Sequence, residues 1–276
     1  PGTGLGEIYA GIRKGRITVN GKKKQPKYKL REGDRILIAP GICTTPGETS
    51  GTNHGDSTEP LPVPELKHTI ILENGFYIVF NKPPGILTHG KYSIQTFLQQ
   101  YLNTEMQHSL AFSPAPLHRL DRNTSGIIVC SKSIEGAREF SKNLADKNIV
   151  KAYLGIHDGV LHSPELWKDK LKRNKKRKIT YADPAGRLSI LHIFPLIISK
   201  SHSFCLTIPV TGRTHQIRVQ SALHGLPLDG DPKYNKSARK KDKYCLHAAY
   251  LKMSDAVDSR RLPPLFAPLP KQFLDT

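Results

Sequence analysis

The stretch His118-Arg119-Leu120-Asp121-Arg122-Asn123-Thr124-Ser125-Gly126 runs directly into the apolar segment Ile127-Ile128-Val129-Cys130. Its polar part sets one carboxylate between two guanidinium groups, and its apolar part has the length of a short buried strand. Asp, Asn, Ser and Gly also favour ordinary turns, through local hydrogen bonds and backbone freedom. Yet loops on a rigid scaffold are where folds commonly place reactive side chains. On this stretch alone, a plain turn and a reactive loop weigh about the same.

Outward from it the pattern is α+β. Phe76-Tyr77-Ile78-Val79-Phe80 has the composition of a buried strand, stopped by Lys82-Pro83-Pro84-Gly85. Ser93 is placed to cap a helix whose apolar stripe is Ile94, Phe97, Leu98 and Tyr101. After Ser133, the residues Ile134, Ala137, Phe140 and Leu144 line a second amphipathic helix. Further strands are expected over 150–156, 188–194 and 204–210, and a helix over 217–223 closed by Gly225. Strands and helices mix without regular βαβ alternation. The expected fold class is therefore α+β, with a central, mostly antiparallel mixed sheet flanked by helices and loops.

The first forty residues differ in texture, being dense in Lys, Arg and Gly. Ile17-Thr18-Val19 leads into an Asn20-Gly21 hairpin turn, and Glu32-Gly33-Asp34 turns into the strand Arg35-Ile36-Leu37-Ile38-Ala39. Residues from Thr44 to Pro64 carry Gly, Ser, Thr, Asn and Pro with few large apolar side chains, as a linker does. The domain division expected is a small basic module at 1–42, a linker at 43–66 and a main domain at 67–276.

The 276 residues suffice for a sizeable core, and 42 Lys and Arg against 23 Asp and Glu leave a formal charge of +19. Such an excess favours polyanionic partners, although a merely basic protein would show it too. Cys43, Cys130, Cys205 and Cys245 form no C-x-x-C pair, which argues against a zinc ribbon or a disulfide framework and fits a reducing compartment. No apolar run is long enough to span a bilayer and no secretory leader is visible, so no membrane association and a cytoplasmic location are expected. Gly2, Gly4 and Gly6 lack the strand and spacing of a dinucleotide loop. The His-Arg-Leu-Asp stretch is followed by no Asp-Phe-Gly, which removes a kinase, and Ser125 has no nucleophile-elbow context. Guanidinium groups crowd His118, Asp121 and His215 and would oppose a cation, so neither metal nor cofactor is expected.

Further motifs stand in order along the main domain. They are Asn81-Lys82-Pro83-Pro84-Gly85 with His89, Lys151-Ala152-Tyr153, and Thr211-Gly212-Arg213-Thr214-His215-Gln216-Ile217-Arg218. Gly230-Asp231-Pro232 with Tyr234, and Leu246-His247-Ala248, follow. With the Asp121 loop, they resemble the motifs of the RluA-type pseudouridine synthases over most of the main domain. The resemblance implies the pseudouridine synthase fold and a cofactor-independent isomerisation of uridine in structured RNA. It makes Asp121 the central catalytic residue, as nucleophile or as base on the sugar, with Arg218 as its partner. Either role needs an ionised carboxylate in a cleft that excludes water, which a nearby guanidinium favours. Tyr153 matches the tyrosine that stacks on the extruded uracil and whose hydroxyl assists removal of the carbon-5 proton; by periodicity alone it would be a core or edge-strand residue.

His118, Arg119, Arg122, Arg213, His215 and Gln216 are expected to position the RNA, with a hydrogen-bonded structural role equally open for His118. The basic runs 168–178 and 236–243 read as solvated loops, and in an RNA enzyme Lys172, Arg173 and Lys176 would contact phosphates. Two departures, Gln220 for a His and Asn235 for a Gly, put local RNA contacts in question. The N-terminal region resembles the later part of an S-four-type RNA-binding module, whose first helix would lie before Pro1. The implied partner is RNA, first large-subunit ribosomal RNA and second transfer RNA, with the protein acting as a monomer. A binding-only ribosome assembly factor or an RNA hydrolase are the alternatives; a binder has no chemical reason to carry Asp121, Tyr153 and Arg218 together.

Overall fold

The structure is a computed structural model and describes residues 5–39, 66–103, 112–239, 243–254 and 261–273. The chain divides into two units, Pro1–Glu59 and Pro60–Thr276. The expected linker, except for Leu66, lies outside the described residues.

In the first unit a helix, α1 (Leu5–Arg13), precedes two short antiparallel strands, β1 (Ile17–Val19) and β2 (Ile36–Ile38). Asn20 and Gly21 both sit in the left-handed region, at φ 52° and 70°. Val19 and Lys22 exchange backbone hydrogen bonds across them at 2.9 and 3.0 Å. This is the two-residue turn that an Asn-Gly pair selects. The helix corrects the expectation of strands and turns alone. Leu5, Ile8, Tyr9 and Ile12 are spaced in the sequence at the helical period, which the interrupting glycines obscure.

The second unit carries eleven strands among its described residues, all in one sheet. In chain order these are β3 (Ile70–Glu73), β4 (Tyr77–Lys82), β5 (Ala115–Pro116), β6 (Ser125–Ser131), β7 (Ile149–Asp158) and β8 (Glu165–Asn174). Then come β9 (Ile179–Ala182), β10 (Arg187–Ile198), β11 (His202–Pro209), β12 (Leu246–Met253) and β13 (Leu265–Phe266). The spatial order is β3-β4-β6-β12-β7-β11-β10-β8-β9, with β5 beside β6 and β13 beside β12. Among the described residues the one parallel ladder is β6 with β12; the other ladders are antiparallel, as the mixed pattern implied.

Strands β4 and β6 are buried on both faces, which is why they read as unbroken apolar runs. Ile78, Phe80, Ile128 and Cys130 pack under helix α2 (Ile94–Asn103), through Ile94, Phe97 and Leu98. Tyr77, Val79, Ile127 and Val129 pack on the other face with Phe140 of helix α3 (Ile134–Ala145). Ser93 Oγ accepts from Thr96 N at 3.3 Å while Thr96 Oγ1 accepts from Ser93 N at 2.8 Å, a reciprocal cap at the start of α2. Ser133 caps α3 by accepting from Gly136 N at 3.0 Å.

The buried face of α3 keeps Phe140 from the stripe its periodicity suggested but is rotated away from Ile134 and Leu144. Gly136, Phe140 and Asn143 face inward, whereas Ile134 and Leu144 are exposed. Gly136 decides the rotation. A Cβ there would stand 2.7 Å from the Phe76 carbonyl oxygen, so the helix comes down on the sheet at its one bare position.

A third cluster packs helix α4 (Gln216–Leu223) over β10 and β11 through Ile217, Leu191, Ile193 and Cys205. The basic run 168–178 is not a loop. Its first seven residues belong to β8, paired to β10 on one side and β9 on the other, with Trp167 and Leu171 buried. Alternate positions on this half-covered strand face solvent, and there the lysines stand, so charge density hid the strand. Of the second run, residues 240–242 lie outside the described residues.

Candidate active site

The parallel ladder brings the catalytic candidates together. Ala248 on β12 is the register partner of Gly126 on β6 and of Tyr153 on β7, so the three stand in one row across the sheet. Adjacent strands lie about 4.8 Å apart. The loop ending at Gly126 therefore opens beside Tyr153, although 27 positions separate the two in sequence. Gly126 has φ 105°, and a Cβ there would land on the Ala248 carbonyl group. Only glycine allows this approach.

The Lys82-Pro83-Pro84-Gly85 turn holds the same loop from behind. Lys82 is buried, and its Nζ donates to Pro83 O, Ile86 O and Arg122 O at 2.9, 2.9 and 3.0 Å. Burial pulls its pKa down to about 7, against the attraction of Asp121. Three carbonyl acceptors nevertheless match the three donors of an ammonium. Gly85 N donates to Arg122 O at 2.8 Å, and Thr88 Oγ1 exchanges hydrogen bonds with the Leu120 backbone at 3.0 and 3.1 Å. Asp121 is thus pinned on both sides by its neighbours' backbones.

Arg218 of α4 reaches this carboxylate. Its Nη1 donates to Asp121 Oδ2 at 2.9 Å, while Nε and Nη2 form a two-pronged pair with Asp231 at 2.7 and 2.8 Å. The rings of Tyr244 and Tyr234 lie 4.3 and 5.1 Å from its guanidinium carbon. The Arg218 side chain is 6% exposed and that of Asp231 is 0%. Burial works against the guanidinium charge, but the hydrogen bonds and charge of Asp231, with Tyr244 and Asp121, outweigh it and hold its pKa above the ordinary value. Asp231, Tyr234 and Tyr244 were missed as site residues. The Gly-Asp-x-x-Tyr motif contained the first two, and Arg218's spare donors were a signal for Asp231. Nothing in the sequence marked Tyr244.

Asp121 and Arg218 line a cleft of about 420 Å³, within the roughly 300–1,000 Å³ of small-molecule sites. Asp121, Lys151, Tyr153, Arg213, His215 and Arg218 all face it. Burial, aided by the Asp121 charge, raises the Tyr153 hydroxyl pKa, so the hydroxyl is protonated at neutral pH.

The expected RNA contacts divide. Arg119 and Arg122 are exposed beside the cleft, and Lys176 is exposed in the turn after β8. Arg173 is close enough to depress the His215 pKa. Lys172 pairs with Asp183 at 3.2 Å, and Arg213 rests on Leu188 O at 3.4 Å. His118 turns inward, its Nε2 accepting from Val129 N at 3.1 Å and its ring stacked on Phe140. Gln216 is buried, accepting from Thr211 Oγ1 and Arg213 N and donating to Ile190 O. Both residues nonetheless line the cleft, and His118 Nδ1 is buried with no hydrogen-bond partner among the described residues. The two departures are interior as well. Gln220 donates to Asp169 at 2.7 Å, and Asn235 donates to Asp158 and Leu228 O, so they bear on packing and not on RNA contact.

Two buried and two half-buried histidines add a pH dependence. Burial pushes His157 and His215 down to about 4, and lowers His118 and His247. The unfolded chain takes up these protons near pH 6.5, and the folded one only at lower pH, near 4 for His157 and His215. Stability is therefore full above pH 6.5 and falls as pH drops toward 4, by about 1.4 kcal/mol per pH unit for each proton gained on unfolding. Urea midpoints at pH 7.5 and 5.0 measure it; equal midpoints would remove the effect.

Comparison with known proteins bears on the same cleft. The family model described as RNA pseudouridylate synthase matches residues 76–223, which include Asp121, Tyr153 and Arg218. This chain belongs to that family. The synthase also matches the S4 domain model at residues 6–36. It is 30% identical over 255 residues to the ribosomal large subunit pseudouridine synthase C of Vibrio parahaemolyticus, covering 89% of this chain and 78% of that protein. The protein of the same name from Pasteurella multocida is 31% identical, over 82% of this chain and 69% of its own length. Human RNA pseudouridylate synthase domain containing 4 shares the fold of the synthase, with a TM-score of 0.63 at 21% identity over 76% of this chain and 91% of that one. By membership, the synthase is an RNA-modifying isomerase.

Proposed function

We propose that the synthase converts uridine to pseudouridine in large-subunit ribosomal RNA, acting as a cytoplasmic monomer with Asp121, Tyr153 and Arg218 as its catalytic residues. The observation that carries this is the Asp121 carboxylate held 2.9 Å from a buried guanidinium in a cleft it shares with Tyr153. In the reaction the bond between ribose C1′ and uracil N1 breaks, the base turns while held, and C1′ joins carbon-5. Carbon-5 then loses its proton and N1 gains one. Asp121 serves as nucleophile at C1′ or as base on the sugar, and either needs a bare carboxylate oxygen facing the ribose. The Tyr153 ring stacks on the extruded uracil. Burial and the Asp121 charge raise its hydroxyl pKa, and assistance by this hydroxyl in the removal of the carbon-5 proton belongs to the proposal. The ribosomal large subunit in the relatives' names favours that substrate over transfer RNA. Mapping pseudouridine in total RNA from cells with and without the protein tests both. Loss confined to transfer RNA would move the substrate, and no loss anywhere would remove the function.

The exposed cations make a second expectation. Each phosphate neutralised contributes about 0.7–0.9 to the slope of log affinity against log salt. Changing Arg173 and Lys176 together to Gln should lower that slope by roughly 1.4–1.8, twice the value for one phosphate. Lys172→Gln should lower it less, because Asp183 already faces that ammonium. Filter binding across a salt series reads the slopes; an unchanged slope in the double variant would clear this hairpin of phosphate contacts.

A further inference from the structure

The two oxygens of Asp121 are not equivalent. Oδ2 accepts from Arg218 Nη1 at 2.9 Å and faces His215 Nε2 at 3.7 Å, whereas Oδ1 receives no hydrogen bond from any described residue. The His215 ring is tied at its other end. Its Nδ1 lies 2.7 Å from the Tyr234 hydroxyl, and that hydroxyl oxygen accepts from Thr180 N of β9 at 2.9 Å. With the oxygen already receiving the Thr180 N–H, the hydroxyl proton is available for Nδ1. The imidazole is neutral, because burial and the charges of Arg218, Lys233 and Arg173 push its pKa down to about 4 against the pull of Asp121. A neutral ring carries one proton. On Nδ1, that proton would leave the Nε2 lone pair facing a carboxylate. On Nε2, it makes both ends attractive. Backbone geometry agrees that the ring is held in place: His215 adopts φ 57°, a left-handed conformation that persists in a non-glycine residue where its surroundings impose it.

We infer that Asp121 reacts through Oδ1, and that His215, held as the Nε2–H tautomer by the Tyr234 hydroxyl, is the positioning residue that fixes Oδ2 beside Arg218. One donor leaves a carboxylate free to turn about its Cβ–Cγ bond; a second donor at the same oxygen sets its plane and hence the place of the other oxygen. At 3.7 Å the second contact is charge to dipole and not a formed hydrogen bond. Active-site contacts of this length commonly tighten once substrate is seated. This rests on the assignment of Asp121 as the reacting group and adds which oxygen reacts and what aims it.

The test compares His215→Met with His215→Gln, of similar length and equally unsuited to the left-handed backbone, of which only Gln carries a donor near the Nε2 position. With a large-subunit ribosomal RNA transcript as substrate, His215→Met should lose about 10²-fold in kcat with KM nearly unchanged, the scale of a misplaced reacting group. His215→Gln should recover most of that loss. Tyr234→Phe, which keeps the ring under Arg218, should cost roughly tenfold in the wild-type background and little beside His215→Met, because coupled partners are not additive. Nitrogen-15 NMR of wild-type histidine should show Nδ1 without a proton. A protonated Nδ1, a Gln variant as slow as the Met variant, or an equal Tyr234→Phe cost in both backgrounds overturns the inference. Full activity of His215→Met while Asp121→Asn is dead would do so too and leave the function intact; an active Asp121→Asn would instead remove the proposed function.

Discussion

Asp121→Asn should abolish pseudouridine formation, lowering single-turnover rates by about 10⁴-fold or more, the scale seen when a central catalytic group is removed. The carboxamide has nearly the shape of the carboxylate and can still accept from Arg218, whose charge remains balanced by Asp231. Folding and RNA affinity should therefore stay close to wild type. The carboxamide cannot attack C1′ or take a sugar proton. Thermal melting, RNA binding and product mapping on one preparation separate these quantities. A rate within tenfold of wild type would show that the chemistry runs through another group.

The second large effect is on stability. Arg218→Met removes the only cation within hydrogen-bond distance of the Asp231 side chain among the described residues and leaves a carboxylate with no exposure and no counter-charge. Breaking a buried pair by taking one partner costs about 3–5 kcal/mol, enough to shift a denaturant midpoint visibly. Activity should vanish as well, since Asp121 loses its 2.9 Å donor. Adding Asp231→Asn should return much of the stability, because the uncompensated charge is gone, and none of the activity. A double variant as unstable as the single one would show that Arg218 stabilises by packing and not by charge. A double variant that regains activity would separate Arg218 from the chemistry.

How far the sequence reached depended on how local the cause was. The Asn20-Gly21 turn and the caps at Ser93 and Ser133 act within a few residues, and each stands where it was expected. The strands around 76–80 and 204–210 were legible because burial on both faces, or alternation on one, is written into composition. Strand β8 was not, since a strand half open to water can carry lysines at every outward position and then looks like a loop. The face of α3 failed for another reason: a bare glycine met a backbone carbonyl 60 residues earlier, and close approach outranked the apolar stripe.

In the site, Asp121, Tyr153 and Arg218 could be named from motifs, but the motifs carried no distances. Gln216 and His118 were placed among the RNA contacts because polar side chains beside a reactive loop look alike in sequence, whichever way they point. Their hydrogen bonds turn them inward.

By itself the sequence determined the family, the α+β class, the reacting carboxylate and the cationic character of the protein, because residue types and short spacings carry all of these. Only the tertiary structure decided that Gly126, Ala248 and Tyr153 share one row, that Asp231 is the second anchor of Arg218, and that one oxygen of Asp121 stands free. Those relations rest on a parallel pairing between strands more than 110 residues apart. Such a register is set by the packing of the whole sheet, and no local stretch of chain contains it.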